Sequence, residues 1–277
     1  MYDQFRWTNV SARRNRLTME YEPIQPFLLI ALAEAAAART FLDVGANIGA
    51  YSLFATNISM IARIIAFEAN PEAASELRAN IVLNNLGDTI EVIEKAVSDT
   101  SAAVTFGIVS KFSGANSVVD TSIHSKTGFH VELKVEAVTL DELFSSAAEG
   151  PFCIKIDVEG HEPNVIRGAR AFLSESKAVI QIEAYPGGKN ETERQLEEFG
   201  FFHLTAIGPD HYYSNIESLG DAAAMLRIFE RAVTDLIAYN HRNKAVLLKR
   251  GDFALHLTGQ TAAVARRWAQ RLVGKHL

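Results

Sequence analysis

The segment FLDVGANIGAYSL, residues 41–53, places the tightest constraint on what this chain can fold into. It begins with apolar residues typical of a buried strand, turns through Gly45 and Gly49, and continues into a helix-forming run. A strand, a glycine-containing turn and a helix in this order begin the doubly wound α/β folds, in which ligands bind beyond the carboxyl ends of the strands. We therefore expect an α/β protein with a mostly parallel sheet and a small molecule lying across residues 43–49.

The spacing of the turn separates it from the turns that bind dinucleotides. Those follow the pattern Gly-x-Gly-x-x-Gly, whose second glycine lets the backbone approach a pyrophosphate. Here Asn47 has that position and Ala50 has the third. Asp43, at the end of the strand, can face an amino group. A nucleoside that carries an amino acid, S-adenosylmethionine, fits both features, whereas a nicotinamide-dependent dehydrogenase is disfavoured by Asn47. An ordinary strand, turn and helix without a ligand stays an alternative at this point.

Composition limits the kinds of partner that this protein is expected to bind and the cellular compartment in which it is expected to work. The 277 residues, 48% of them hydrophobic, suffice for one large domain with its own core. The net charge of −6 offers no basic face for nucleic acid. The single cysteine, Cys153, excludes an internal disulfide framework and a cysteine-rich zinc site. The apolar run 26–33 is too short to span a bilayer, and acidic residues interrupt its likeness to a signal peptide. We expect a packed helix over residues 24–38 and a cytoplasmic protein.

A second acid is predicted at the same edge of the sheet. Residues 63–68 are typical of a strand, and the strand ends in Glu68. A helix is predicted to follow from the N-cap Asn70 to about Asn84, with Gly87 well placed to end it. An acid at the end of the second strand can accept hydrogen bonds from both ribose hydroxyls of a nucleoside. The alternative is a solvated carboxylate.

Hydrophobic periodicity predicts the remaining elements. Strands are expected over residues 90–97, 104–109, 130–136, 152–158, 178–184, 201–207 and 244–249, and helices over 140–144, 163–172, 191–199 and 216–239. The end of the strand 90–97 should border the adenine. Residues 103–139 resemble a β-hairpin insertion that carries a Ser/Gly/Asn-rich loop, 110–128, over the carboxyl edge of the sheet.

The termini are predicted to be additions to a central domain. Residues 1–40 would form an N-terminal arm and packing helix, residues 41–250 the domain, and residues 251–277 a C-terminal helix. That last helix is basic and amphipathic, so it can lie on anionic lipid or pack on its own domain. Both interpretations stay open, as does a homo-oligomer.

The fourth predicted strand ends in a cluster of titratable residues. Asp157 ends the strand, and Glu159 and His161 follow it. Groups of this kind at one sheet edge suit acid/base work or the orientation of a hydroxyl, and Glu183 on the next strand could add a fourth. An ion-pair cluster is the alternative. A divalent metal on Asp157, His161 and Glu183 is conceivable, but no local spacing enforces it, so no metal is predicted. No Gly-x-Ser-x-Gly elbow supports a serine hydrolase.

These pieces together resemble the FkbM family of S-adenosylmethionine-dependent methyltransferases. The matching segments are, in family order, residues 41–49, 67–71, 95–97, 140–143, 154–162 and 182–183. The resemblance implies the class I methyltransferase fold, with a seven-stranded, Rossmann-like sheet whose last strand is antiparallel. It also implies O-methylation of a hydroxyl on a sugar, glycolipid or polyketide-type metabolite, so the partner would be a small-molecule or glycan acceptor. The sequence Asp157-Val-Glu-Gly160 lacks the Pro-Pro turn of enzymes that methylate nucleic-acid bases. A non-catalytic S-adenosylmethionine-binding module is the competing interpretation.

The resemblance also implies roles for individual residues. Gly45, Asn47 and Gly49 would surround the methionine part of the cofactor, and Asp157 would lie near the methyl group. Glu68 would bind the ribose, and Ala96 and Val97 would line the adenine. The full set of predicted cofactor contacts is Asp43, Gly45, Ala46, Asn47, Gly49, Ser52, Glu68, Ala69, Ala96, Val97 and Asp157. The predicted catalytic residues are Asp157, which orients or deprotonates the acceptor, His161, whose ordinary pKa suits a base near neutral pH, and Glu159.

Overall fold

The computed structural model describes residues 6–8, 22, 24–108, 117–118, 131–144, 150–183 and 189–250. The predicted C-terminal amphipathic helix lies outside these residues, as do most of the N-terminal arm and most of the loop 110–128.

The described elements alternate between strands and helices along most of the chain. The helices are α1 Gln25–Ala35, α2 Ala50–Ala55, α3 Pro71–Leu83, α4 Leu140–Leu143, α5 Glu162–Arg167, α6 Arg170–Glu175, α7 Lys189–Glu198 and α8 Ala222–Arg250, with a 3-10 turn at Glu217–Leu219. The strands are β1 Thr40–Val44, β2 Arg63–Phe67, β3 Ile90–Ile93, β4 Ala96–Val97, β5 Ala103–Ile108, β6 Ser117–Val118, β7 Val131–Val138, β8 Phe152–Ile156, β9 Ala178–Glu183, β10 Phe202–Ile207 and β11 Asp210–Ser214.

Seven of these strands form one twisted sheet in the order β10-β11-β9-β8-β1-β2-β3. The strands β3, β2, β1, β8 and β9 are parallel to their neighbours in this series, and β11 is antiparallel to both β9 and β10. The predicted doubly wound α/β fold with an antiparallel last strand is therefore confirmed. Because the parallel strands share a direction, their carboxyl ends meet at one edge, and the two central strands β1 and β8 bring Asp43 and Asp157 to it.

Hydrophobic cores cover both faces of this sheet. Along β8, Cys153 packs into one core and Ile154 into the other, as the alternation of a buried strand requires. The predicted helix over residues 24–38 is confirmed as α1, which lies on the Cys153 face and contacts α8. The rings of Phe27 and Tyr239, one from each helix, are 5.7 Å apart.

The predicted hairpin is also confirmed, and it belongs to a second, four-stranded sheet with the order β4-β7-β5-β6. The strands β5 and β7 pair antiparallel, and β4 pairs with β7 in parallel. The prediction of one strand over residues 90–97 was wrong, because this segment divides between the two sheets. Ile90 packs in the main core, whereas Ala96 packs with Phe106 and Ala137 in a separate cluster, and the chain turns between them.

The prediction of a strand over residues 244–249 was also wrong. This segment is the end of α8, and the antiparallel strand is instead Asp210–Ser214, with the sequence DHYYS. A short apolar run such as AVLL fits a helix as well as a strand. The sequence DHYYS is polar, yet the strand is buried along its whole length, and the side chains of Asp210 and Ser214 at its two ends are hydrogen-bonded inside the fold.

Two helix boundaries differ from prediction for local reasons. The helix α3 begins at Pro71 behind the N-cap Asn70 as expected, but it ends at Leu83, and the left-handed residue after it is Asn85 with φ 56°, not Gly87. The helix expected over residues 163–172 is two helices, α5 and α6, separated at Gly168. A Cβ atom on Gly168 would lie 2.0 Å from the carbonyl oxygen of Ser98, so the break lets two backbones touch.

Candidate active site

The glycine turn after β1 lies directly against the end of β8. Gly45, Asn47 and Gly49 have φ angles of 84°, 52° and 86°, a left-handed region that favours glycine and tolerates asparagine. A Cβ atom on Gly45 would lie 1.9 Å from the carbonyl oxygen of Asp157. The need for glycine here therefore has two causes, the backbone angle and the close approach of the two strand ends.

Glu68 holds this turn in place from the end of β2. Its side chain is 7% exposed. Its Oε2 accepts a hydrogen bond of 2.7 Å from the amide of Asn47, and its Oε1 accepts one of 2.8 Å from the amide of Asn70. Burial raises the pKa of Glu68 to about 7, against the opposing effect of the two amides. Each carboxylate oxygen keeps acceptor capacity for a further donor.

A cleft opens at this edge of the sheet, between the glycine turn and the small sheet. Its walls are Val44, Gly45, Asn47, Phe67, Glu68, Ala69, Asn70, Ala73, Lys95, Ala96, Val97, Phe106, Val118, Asp157, Val158 and His161. Of the predicted cofactor contacts, it brings together Gly45, Asn47, Glu68, Ala69, Ala96, Val97 and Asp157. It does not include Asp43, Ala46, Gly49 or Ser52. Phe106 and Val118 were not predicted as site residues, since the alternation of the hairpin predicted strands but not which cleft their apolar side chains would line.

Asp43 lies behind the turn instead of at the cleft surface. It is 1% exposed, and the hydroxyl of Ser52 donates a hydrogen bond of 2.6 Å to its Oδ2. Burial raises the pKa of Asp43 above its usual range, although Lys155 opposes this effect. Its Oδ1 has no hydrogen-bond partner among the described residues. A buried acceptor of this kind fits a donor group of a ligand or a water.

Lys155 is a buried cation that was not predicted as part of the site. Its side chain is on the Cys153 face of β8, 4% exposed, with Nζ 2.7 Å from Oδ2 of Asp157 and 4.6 Å from the ring centroid of Tyr51. Burial alone would lower the pKa of Lys155, but the carboxylates of Asp157, Glu22 and Asp43 outweigh burial and raise it. Burial likewise disfavours the charge on Asp157, yet the Lys155 ammonium outweighs that effect and lowers the pKa of Asp157.

A buried polar network extends from this lysine behind the sheet edge. The hydroxyl of Tyr51 donates a hydrogen bond of 2.5 Å to Glu22, and Nε2 of Gln181 donates to Tyr51 at 3.1 Å and to Asp210 at 2.8 Å. Burial raises the pKa of both Glu22 and Asp210. No sequence signal marked these residues, because they come from separate elements and meet only in the folded chain.

Three carboxyl groups lie together just beyond Lys155. Oxygens of Asp157, Glu159 and Glu183 are all within 4.8 Å of one another. Burial and the nearby Asp157 raise the pKa of Glu159 to about 7 and that of Glu183 to about 9. Asp157, Glu159 and Glu183 were expected at one edge of the sheet, and the structure places them there.

His161 lies apart from these three carboxyl groups. It is 5% exposed and precedes α5, and its Nε2 lies 2.9 Å from the hydroxyl of Ser98. That contact puts the imidazole on the side of the cleft where Ala96 and Val97 lie. The alternative metal set of Asp157, His161 and Glu183 is therefore not assembled among the described residues.

The sheet order, the glycine turn against β8 and the acid held at the end of β2 define a Rossmann-like domain of the methyltransferase class. The chain belongs to a particular family within that class. The methyltransferase FkbM domain matches residues 43–227, which is more than half of the chain. The predicted family is thus confirmed, and the chain is a methyltransferase.

Curated relatives carry related names at low identity. The chain is 26% identical over 188 residues to the hexuronic acid methyltransferase AglP of Haloferax volcanii, covering 67% of this chain and 73% of that one. It is 25% identical over 187 residues to the methyltransferase sdnD of Sordaria araneosa, covering 58% and 72%.

Among solved structures, a methyltransferase FkbM from Methylobacillus flagellatus shares 16% identity with a TM-score of 0.43. The match covers 64% of this chain and 44% of that protein, so this chain spans less than half its length. Within the described residues, no helix combines the length and apolarity needed to cross a membrane.

Proposed function

We propose that this protein transfers the methyl group of S-adenosylmethionine to a hydroxyl group of a sugar, glycolipid or polyketide-type metabolite. The observation that carries the proposal is the carboxylate of Glu68, held by the amides of Asn47 and Asn70 at the wall of the cleft. Its remaining acceptor capacity fits the two hydroxyls of a ribose. The family to which the chain belongs supports methyl transfer as the chemistry.

The residues of the cleft fit the parts of that cofactor. Gly45 lets the turn approach the backbone of Asp157 closely at the wall of the cleft, because a Cβ atom at this position would clash with it. Ala96, Val97 and Phe106 offer an apolar wall that suits a purine ring. The buried Oδ1 of Asp43, which has no partner among the described residues, lies behind the turn and fits an ammonium group of an amino acid that is reached through a water.

The chain must align an acceptor and remove its proton. S-adenosylmethionine supplies a methyl group that is already strongly electrophilic, so the protein contributes mainly position and proton transfer. Asp157 lines the cleft and is held ionised by Lys155, so it can accept a hydrogen bond from the acceptor hydroxyl. One of Asp157 and His161 was predicted to take the proton while the other holds the acceptor in line, with Glu159 as a further catalytic residue, and these roles stay predictions.

The relative that methylates hexuronic acid supports a sugar as the acceptor class. The acidic residues 157, 159 and 183 at this edge do not resemble a basic surface for nucleic acid, in keeping with the expectation from net charge.

Calorimetry followed by a turnover assay tests the proposal. The purified protein should bind S-adenosylmethionine and S-adenosylhomocysteine, and bind NAD more weakly or not at all. S-adenosylhomocysteine release should then appear with at least one member of a panel of sugars, uronic acids, glycolipids and polyketides. Tighter binding of NAD would overturn the proposal, and tight cofactor binding with no turnover across the panel would favour a non-catalytic binding module.

A further inference from the structure

Carboxyl oxygens of Asp157 and Glu183 lie within 4.8 Å of each other at the carboxyl ends of β8 and β9. Two ionised carboxylates this close repel each other, so protonation of one member is favoured. Lys155 determines which of the two is protonated, because its Nζ lies 2.7 Å from Asp157 and stabilises the anion of that group. Glu183 is therefore the member that carries the proton.

Burial and the charged groups around Glu183 in the described structure affect its protonation. Burial and the negative charges of Asp157 and Glu159 disfavour its anion, whereas Lys155 favours it. On β11, Asp210 is the register partner of Glu183 and accepts a hydrogen bond from Gln181. The local balance is negative, so Glu183 stays neutral until a positive charge is added at the sheet edge.

We propose that Glu183 is the group that takes the proton of the acceptor hydroxyl, and that the charge on the methyl donor switches it into the form that can do so. This inference rests on the proposed function, because it needs a cationic sulfonium beside Asp157. The positive sulfur stabilises a second carboxylate in the cluster, so Glu183 releases its proton when the donor binds.

The transfer then restores the starting state of the cluster. The carbon–sulfur bond of the donor breaks and leaves its electron pair on sulfur, while the acceptor oxygen forms the new carbon–oxygen bond. The oxygen–hydrogen bond breaks, and its proton passes to the Glu183 carboxylate, directly or through a water. A cation and a carboxylate thus become a neutral thioether and a neutral acid. Glu183 favours protonation again as soon as the sulfur loses its charge, which couples deprotonation to methyl transfer.

Proton release on binding tests this inference without any acceptor. Titration calorimetry is run at pH 8 in buffers of different ionisation heat, with S-adenosylmethionine and with S-adenosylhomocysteine. At that pH Glu159, with a pKa of about 7, is mostly ionised already, whereas Glu183, with a pKa of about 9, is not. We expect the sulfonium ligand to release up to about one proton more than the thioether ligand. Release linked to Glu68 is common to both ligands and cancels.

Two variants assign the proton. Glu183→Gln keeps the size of the side chain and should abolish the difference between the ligands while both still bind. Glu198→Gln, on the exposed face of α7, is the matched control and should leave the difference unchanged. Once an acceptor is found, Glu183→Gln should lower kcat about 10²–10⁴-fold with little change in the KM for the donor.

An infrared measurement keeps the inference testable if Glu183→Gln does not fold. In the wild-type protein at pH 8, where Glu68 is mostly ionised before either ligand binds, the band of a protonated carboxylic acid should diminish when S-adenosylmethionine is added and should persist with S-adenosylhomocysteine.

The outcomes separate two kinds of failure. Binding of neither ligand would refute the proposed function. Binding of both with equal proton release would refute only the role of Glu183. A difference that survives in Glu183→Gln would assign the proton to another group, such as Glu159 or His161, and would also overturn the inference.

Discussion

Replacing Glu68 with glutamine should weaken cofactor binding and change its pH dependence. In the structure each oxygen of Glu68 accepts one backbone amide, and the same carboxylate faces the cleft. Glutamine has the same length but only one acceptor oxygen, so it loses one amide bond and offers the ribose neutral partners. Hydrogen bonds to charged groups contribute about 1.5–3 kcal/mol each. The loss of one such bond to the ligand predicts a Kd for S-adenosylhomocysteine raised roughly 10- to 150-fold.

The pH dependence follows from the pKa of about 7 that burial gives Glu68. Ribose hydroxyls donate to the carboxylate, so binding favours the ionised form and releases a proton below that pKa. Affinity should therefore rise about fivefold from pH 6 to pH 7 and level off above the pKa. In Glu68→Gln this contribution should be absent. Other groups titrate in both proteins, so the difference between the two profiles isolates Glu68.

Isothermal titration calorimetry with S-adenosylhomocysteine at several pH values measures both effects. Glu91→Gln is the control, because Glu91 is half-exposed on β3 and pairs with Arg63 outside the cleft. It should bind as the wild type does. Equal affinity in Glu68→Gln and the wild type, or superimposable pH profiles for the two, would refute the assignment of Glu68 to the ribose.

Three further predictions concern the glycine turn, the role of Asp157 and the buried acids of the site. Gly45→Ala combines a left-handed φ with a Cβ atom 1.9 Å from a carbonyl oxygen, whereas Gly200→Ala has a similar φ and open space. Gly200→Ala should therefore lose about 1–2 kcal/mol of stability in a denaturant titration, and Gly45→Ala distinctly more, together with cofactor binding. Asp157→Asn should lower kcat about 10²–10⁴-fold in a methyl-transfer assay while cofactor affinity is largely kept, and an unchanged kcat would remove Asp157 from the mechanism. Burial raises the pKa of Glu68 and Glu162 from 4.5 to about 7. The folded protein thus binds these protons more tightly, and the stabilisation is lost as pH rises through about 7, so the ligand-free protein should have a higher Tm at pH 6 than at pH 8.

The glycine turn and the strand-end acids were predictable because local chemistry determines them. Only glycine or asparagine readily adopts the left-handed backbone at residues 45, 47 and 49, so the turn is visible in the sequence itself. Asn70 and Pro71 mark the start of α3 for a similar reason, since a cap and a fixed φ act within a few residues. The doubly wound sheet follows from the alternation of such units along the chain.

Other parts of the site depend on residues that are far apart in sequence and meet only across the folded sheet. The strand β11 is buried although its sequence is polar, because Ala178 and Gln181 on the next strand accept or donate its hydrogen bonds. The prediction of a strand over residues 244–249 was wrong because a short apolar run fits the periodicity of a strand and of a helix equally well. The opposite pKa shifts of Asp157 and Glu183 are likewise invisible in sequence. The two shifts differ because the buried Lys155 of β8 pairs with Asp157, whereas Glu183 on the neighbouring strand β9 lies beside the negative charge of Asp157.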